Sequence, residues 1–278
     1  MGSATSSSGG EFRQSSDTSF SSTISEGYEE GLVPLLFEPY ASDLSSRVAS
    51  YSPMAVLEIA AGTGAVTRKL AAALPGTEIV ATDLNQAMLD VAARMVQSRN
   101  VRFQQADACA LPFDARSFDI VAAQFGVMFF PEKVTAFREA RRTLSPDGAL
   151  IFSVWDGLPD NPLDDLVSAI YKEYTGVPCF LERVPYAYFD PGRIATDLRR
   201  AGFGEVGIET VKRTTTTASA VAAFDALVGG SPLFGDFDRL GAERAAEVRA
   251  AIVKQLRNVF GEGEFVNDMS ALVVTAPM

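Results

Sequence analysis

A short apolar run, Ala55 to Ile59, carries a carboxylate at Glu58 and passes directly into the small-residue turn Ala60-Ala61-Gly62-Thr63-Gly64. Residues Ala65 to Leu74 then follow at helical spacing, so the turn lies between a buried strand and a helix. That places residues 60–64 at the carboxyl edge of a strand, where open α/β sheets bind ligands. Gly62 and Gly64 allow backbone to pass close to a bound molecule. Two glycines in a turn are a weak signal alone; Glu58 and the segments downstream strengthen it.

From Ala55 onward, strand-like and helix-like segments alternate. Strands are expected at 55–60, 77–82, 101–105, 118–124, 148–155, 205–213 and 270–275. Helices are expected near 65–74, 85–97, 132–144, 191–201, 219–228 and 241–260. The pattern predicts an α/β fold: a Rossmann-like, seven-stranded, mostly parallel sheet flanked by helices, with helical cap insertions. In helix 132–144, Val134, Phe137, Ala140 and Leu144 form an inward stripe, and Arg138, Arg141 and Arg142 read as a solvated face. In helix 241–260 the stripe is Ala245, Val248, Ile252, Leu256 and Val259.

Residues 1–26 contain ten serines and few apolar residues, which predicts a disordered tail. Residues 27–278 then form a single domain with an N-terminal flap (27–50), a lid insertion (156–192) and a helical insertion (215–265). For residues 28–48 two readings stand, a helix packed on the sheet edge or a flap over the ligand. Pro34 and Pro39 interrupt the helical pattern and favour the flap.

Composition narrows the chemistry. A formal charge of -11 repels polyanions and argues against nucleic acid as a partner. The chain has no histidine, which excludes an imidazole base and His-ligated zinc. Cys109 and Cys179 are too far apart in sequence to suggest a thiolate metal site or a disulfide framework, so no metal is expected. No window approaches the ~18–20 apolar residues of a membrane span. With no basic-then-apolar leader pattern, a soluble cytoplasmic setting is the expectation.

Two further acids end the next strands. Asp83 lies about 20 residues past the Gly-rich turn, where a carboxylate can accept hydrogen bonds from both ribose hydroxyls. Asp107 can accept from an exocyclic adenine amine while Ala108 offers its N–H to the ring. Each could instead cap a helix or loop, but caps alone do not explain acids at three successive strand ends.

The chain resembles class I S-adenosylmethionine-dependent methyltransferases, and among them the ubiquinone/menaquinone-biosynthesis small-molecule type. The resemblance rests on Glu58-Ile59-Ala60-Ala61-Gly62-Thr63-Gly64, Asp83, Asp107-Ala108, Leu111-Pro112-Phe113, Ser117-Phe118-Asp119 and the block Arg138 to Gly148. It covers residues 28–155, more weakly beyond. It implies that Glu58 and the turn Ala60, Ala61, Gly62 and Gly64 hold the methionine part of S-adenosylmethionine. Asp83 would take the ribose, Leu84 and Met88 would flank adenine, Asp107 and Ala108 would read its amine, and Gln124 would face the sulfonium. Ala60 and Ala61 depart from the family pattern, where a glycine is common.

Charge supports this cofactor. A turn with a carboxylate suits an ammonium and a sulfonium, and repels a dinucleotide pyrophosphate. The reaction implied is in-line methyl transfer to an O, N or C nucleophile of a small, largely apolar metabolite, driven mainly by alignment, which supplies about 7–11 kcal/mol in the best model reactions. Phe125, Met128, Phe129, Trp155 and Tyr188 are candidate acceptor contacts. Tyr28 and Glu29, and after them Asp156, are the polar candidates for a base. Competing readings are a non-catalytic cofactor-binding regulator or partner subunit and an NAD-dependent oxidoreductase. The sequence leaves the oligomeric state open.

Overall fold

The computed structural model describes residues 22–278. Among them seven strands form one sheet: β1 (Ala55–Ile59), β2 (Glu78–Asp83), β3 (Val101–Gln105), β4 (Phe118–Gln124), β5 (Leu144–Trp155), β6 (Gly207–Thr217) and β7 (Phe265–Pro277). Their order is β3-β2-β1-β4-β5-β7-β6. The first five are parallel, and β7 runs antiparallel to both β5 and β6. The expected fold class is therefore the observed one.

Burial explains which strands read clearly. Val56 to Ile59 and Ile120 to Ala123 are buried because β1 and β4 lie at the sheet centre with neighbours on both edges. Edge strand β3, by contrast, keeps Arg102 and Gln105 exposed. Strands β6 and β7 pair over Gly207–Thr217 and Phe265–Pro277, so both are longer than their apolar cores at 205–213 and 270–275 suggest. In β6, Val211 and Thr217 are the buried residues, so a largely polar strand is held by its ladder to β7.

Strand order reverses at β1, which has β2 on one side and β4 on the other. Such a switch point opens a crevice at the carboxyl ends of the strands. Helices α1 (Ser22–Gly27), α2 (Glu38–Ser50), α3 (Ala65–Ala73) and α4 (Gln86–Met95) accompany the first half of the sheet. Helices α5 (Lys133–Thr143) and α8 (Pro191–Arg200) pack together in the second half. The caps are α6 (Pro162–Thr175) and α7 (Phe180–Arg183) from the lid, then α9 (Ala220–Gly229), α10 (Leu233–Arg239) and α11 (Ala242–Phe260) from the insertion between β6 and β7.

Three local expectations are revised. The tail expected over residues 1–26 lies outside the described residues up to 21, but its last part is helical, with Ser25 buried where α1 packs on α4 and α9. Val259 is 56 % exposed, because α11 runs past the core after Leu256. The arginines of α5 are not a plain solvated face. Arg142 pairs with Glu139 at 2.8 Å and donates to the Leu111 and Phe113 carbonyls, pinning the 111–113 loop.

The segment Tyr28–Phe37 is π-helical and runs straight into α2, with the Glu38 N–H donating to the Val33 carbonyl. Pro34 lies within it and has no N–H to give to a tighter helical ladder. The segment is thus both a helix and a cover, since Leu32, Leu36 and Phe37 are buried yet border the crevice.

Candidate functional site

At the switch point the crevice widens into a cavity of about 1250 Å³, its open mouth included. Strand ends β1, β2, β3 and β4 form its floor, the π-helical segment covers one side, and the caps close the other. Its charged wall residues are Asp83, Asp107 and Asp164; no lysine or arginine borders it among the described residues.

The Gly-rich turn divides into a face and a support. Ala60 and Gly62 border the cavity, whereas Glu58, Ala61 and Gly64 lie behind it. Ala60 adopts φ 55°, a left-handed conformation that costs an alanine about 1–2 kcal/mol. Its methyl group faces Gly126, where an added Cβ would come within 2.4 Å of the Ala60 Cβ. Gly64, at φ 85°, lies against Ala92 and Val96 of the α4 region, where an added Cβ would be crowded.

Glu58 is 2 % exposed and accepts the Thr67 hydroxyl at 2.6 Å. Burial pushes its carboxyl up to about 8, against the opposing pull of that hydrogen bond. Glu58 thus braces the start of α3 beneath the turn. Asp83 faces the cavity: one oxygen accepts the Gly62 N–H at 2.9 Å and the other the Asn85 N–H at 2.8 Å. Burial raises its carboxyl above the ordinary range, with the two N–H groups pulling the other way. A carboxylate has about four acceptor sites, so each oxygen keeps capacity for one ligand donor. Leu84, 58 % exposed, and Met88, buried, flank the same half. Asp107 is exposed at its rim, accepting the Cys109 N–H at 2.8 Å, and Ala108 lies beside it.

Gln124 links this half to the other. Its Nε2 donates to the Phe37 carbonyl at 3.3 Å, and its buried Oε1 has no hydrogen-bond partner among the described residues. Beyond it the wall is aromatic. Phe125 and Trp155 stack with centroids 3.9 Å apart, and Trp155 also meets Tyr186 at 6.0 Å and Phe37 at 6.1 Å. Met128 and Phe129 border the same space.

The region 56–148 matches the family model described as a methyltransferase domain. The order of the strands, with the last antiparallel, and the site at the β1 switch point agree with that match. The chain belongs to the class I S-adenosylmethionine-dependent methyltransferase superfamily. It is 28 % identical over 176 residues to the demethylmenaquinone methyltransferase of Deinococcus radiodurans, covering 57 % of this chain and 71 % of that protein. Over 125 residues it is 38 % identical to the ubiquinone/menaquinone biosynthesis C-methyltransferase UbiE of Ectopseudomonas mendocina, covering 43 % of this chain and 47 % of the relative. The chain thus spans about half the length of the UbiE relatives it matches. Among solved structures, the YcgJ protein of Bacillus subtilis shares the fold with TM-score 0.57 at 19 % identity, covering 86 % of this chain and 98 % of that one. Phosphoethanolamine N-methyltransferase 2 of Haemonchus contortus shares it with TM-score 0.58 at 17 % identity, over 94 % of this chain and 58 % of that one.

Several expected residues of this methyltransferase-superfamily protein stand elsewhere. Tyr188 does not border the cavity; its hydroxyl is 2.9 Å from Asp197, and Lys133 and Arg193 lie over its ring. Glu29 is committed to Arg68 at 3.0 Å, whose guanidinium also donates to the Thr63 carbonyl, tying the flap to the turn. Asp156 accepts the Ser270 hydroxyl at 3.0 Å and its neighbour's N–H, a strand-end brace. Tyr28 does border the cavity, with its hydroxyl near Gly62. Burial, and then the Asp83, Glu29 and Glu58 carboxylates, raise its phenol far above the ordinary range.

Sequence reasoning missed wall residues from the caps: Asp164 of α6, Phe180 and Leu181 of α7, and Leu227, Ser231 and Pro232 around α9. Asp164 follows Pro162 in a first helical turn, where acids are common for dipole reasons alone. Nothing local marks it.

Proposed function

We propose that this protein is an S-adenosylmethionine-dependent methyltransferase that passes a methyl group to an O, N or C nucleophile of a small, largely apolar metabolite. The observation that carries the reading is the charge of the cavity, whose charged wall residues are all acids beside an aromatic half. An acidic wall favours a ligand with a sulfonium and an ammonium and disfavours a pyrophosphate, which weighs against a nicotinamide dinucleotide.

The donor set fits such a cofactor. Asp83 keeps an acceptor site on each oxygen for a pair of vicinal hydroxyls, and Leu84 and Met88 offer apolar surfaces for a purine. Asp107 with Ala108 suits an exocyclic amine and a ring nitrogen. The turn at Ala60 and Gly62, supported by Glu58, would bound the methionine end, and the orphaned Gln124 oxygen would face the cationic centre. Bound there, the sulfonium supplies an activated methyl group. The chain aligns the nucleophile and excludes water: Phe37 and Tyr28 cover the site from the flap, and the Phe125–Trp155 stack shapes the acceptor side. The demethylmenaquinone and UbiE relatives support an apolar ring compound as the acceptor class.

Calorimetry with S-adenosylhomocysteine and with NAD, followed by transfer of a labelled methyl group to cell-extract metabolites, tests the proposal. Binding of S-adenosylhomocysteine with label transfer supports it. Binding without transfer to any acceptor favours a non-catalytic regulator or partner subunit, and NAD binding without a response to S-adenosylhomocysteine sinks it.

A further inference from the structure

One buried acid, Asp164, borders the aromatic half of the cavity and has no part in the cofactor site proposed above. Asp164 lies in the first turn of α6, is 2 % exposed and borders the cavity. An acid in that turn gains from the helix dipole at the surface as well, so burial adds cost without adding that benefit. Burial pushes its carboxyl up to about 7.

Beside it stands Tyr186, 4 % exposed, whose hydroxyl has no hydrogen bond of ordinary geometry among the described residues. The phenol and the carboxyl are close enough to act on one another. Buried polar groups in proteins are ordinarily hydrogen-bonded, and this loosely joined pair borders the cavity, so a ligand's polar atom can join it. A ligand hydroxyl meets both needs at once, giving its proton toward the carboxylate and accepting from the phenol. The Tyr186 ring stacks toward Trp155 and Trp155 onto Phe125, so the atom so held lies on the aromatic side that follows Gln124.

We propose that Asp164 is the base that takes the proton of the methyl acceptor, with Tyr186 holding the same oxygen, and that the acceptor is a small phenol or enol. This rests on the methyltransferase reading and narrows it to an oxygen nucleophile. The acceptor O–H bond breaks, its proton passing to an Asp164 oxygen and its electron pair staying on the acceptor oxygen. That oxygen forms the new bond to the methyl carbon while sulfur retains the pair of the bond it gives up, and the proton leaves Asp164 for solvent with the product. A carboxylate titrating near neutrality is matched to general-base work, and a phenol with a pKa of about 10 is within its reach whereas an aliphatic alcohol is not. The other titratable groups acting on the pair are Tyr40 and Asp165, both through Tyr186.

Trp155 is the single tryptophan of the chain and reports on this site without any ligand. Its fluorescence should titrate near pH 7 in the wild type; the step should vanish in Asp164→Asn and move to higher pH in Tyr186→Phe, which loses the hydroxyl that steadies the carboxylate. With wild type and Asp164→Asn, methylation of phenol should fall about 100-fold or more in kcat. Thiophenol, already ionised at about pH 8, should lose much less, because it needs no base. S-adenosylhomocysteine affinity should be unchanged in both variants, which keeps this test separate from the methyltransferase reading. A fluorescence step that survives Asp164→Asn, an equal loss with phenol and thiophenol, or no methylation of either by the wild type overturns the proposal.

Discussion

Replacing Asp83 by asparagine separates the ligand role proposed for this residue from its structural one. The aspartate presents two oxygens, each taking one backbone N–H, from Gly62 and from Asn85, at 2.9 and 2.8 Å. Asparagine keeps the size but offers one oxygen and turns an NH2 group toward one of those donors. One acceptor for a ribose hydroxyl disappears and the other is displaced. A hydrogen bond to a charged group contributes about 1.5–3 kcal/mol, so the loss should be roughly 2–4 kcal/mol in all, a 30- to 1000-fold weaker Kd for S-adenosylhomocysteine. Stability should change little, because burial holds the wild-type carboxyl above its ordinary range and removal of the charge offsets the lost internal bond. Titration calorimetry at about pH 7.5, with thermal unfolding as the check on folding, measures both. The exposed Asp107, changed to asparagine, should cost only about 3- to 10-fold, as one hydrogen bond near solvent does. A folded Asp83→Asn protein whose Kd stays within about 5-fold of wild type refutes the ribose assignment.

Glu58→Gln should make stability less dependent on pH. The wild-type carboxyl is raised from its ordinary 4.5 to about 8, so the folded state binds a proton that the unfolded state has lost, and its contribution falls as pH rises from about 4.5 to about 8. Urea unfolding should show the variant gaining on the wild type by a few kcal/mol between about pH 5 and 9; a constant difference contradicts the assignment. Gly126→Ala should drive a methyl group into Ala60, lowering stability by about 1–3 kcal/mol and weakening S-adenosylhomocysteine binding, whereas equal binding would show that the two loops are not coupled. Arg183→Met breaks a buried pair with Asp236 at 2.9 Å that ties α7 to α10. Its cost should be about 3–5 kcal/mol in chemical unfolding, with acceptor turnover losing more than cofactor affinity; an unchanged midpoint would rule out the pair as the lid's anchor.

The legible part of the site is the part built from sequence-local units. Asp83 and Gln124 each end a strand and Asp107 follows one by two residues, and a strand's end can be read from its apolar run, so their meeting at one sheet edge follows from the fold. Glu58 belongs to the same pattern, yet its side chain turns beneath the turn to Thr67, because the pleat of β1 decides which face each residue serves. The caps were least legible. Tyr186 and Tyr188 are two residues apart in one loop, and only packing sends the first toward Trp155 and the second to Asp197. Arg142 of α5 shows the same limit, since its carbonyl partners, Phe113 and Leu111, lie 29 and 31 positions away.

By itself the sequence determined the class of fold and half of the site: periodicity, strand-ending acids and small-residue turns are properties of neighbouring residues, and physics acts on them locally. The absence of histidine also limited the chemistry before any contact was known. Only the tertiary structure decided which acid faces the cavity and which is a brace, and it alone brought Asp164 from α6 and Tyr186 from the lid beside Trp155 of β5. Burial is the reason. Whether a carboxylate braces a helix, binds a hydroxyl or takes a proton depends on the dielectric and the donors around it, which come from segments far apart in the chain.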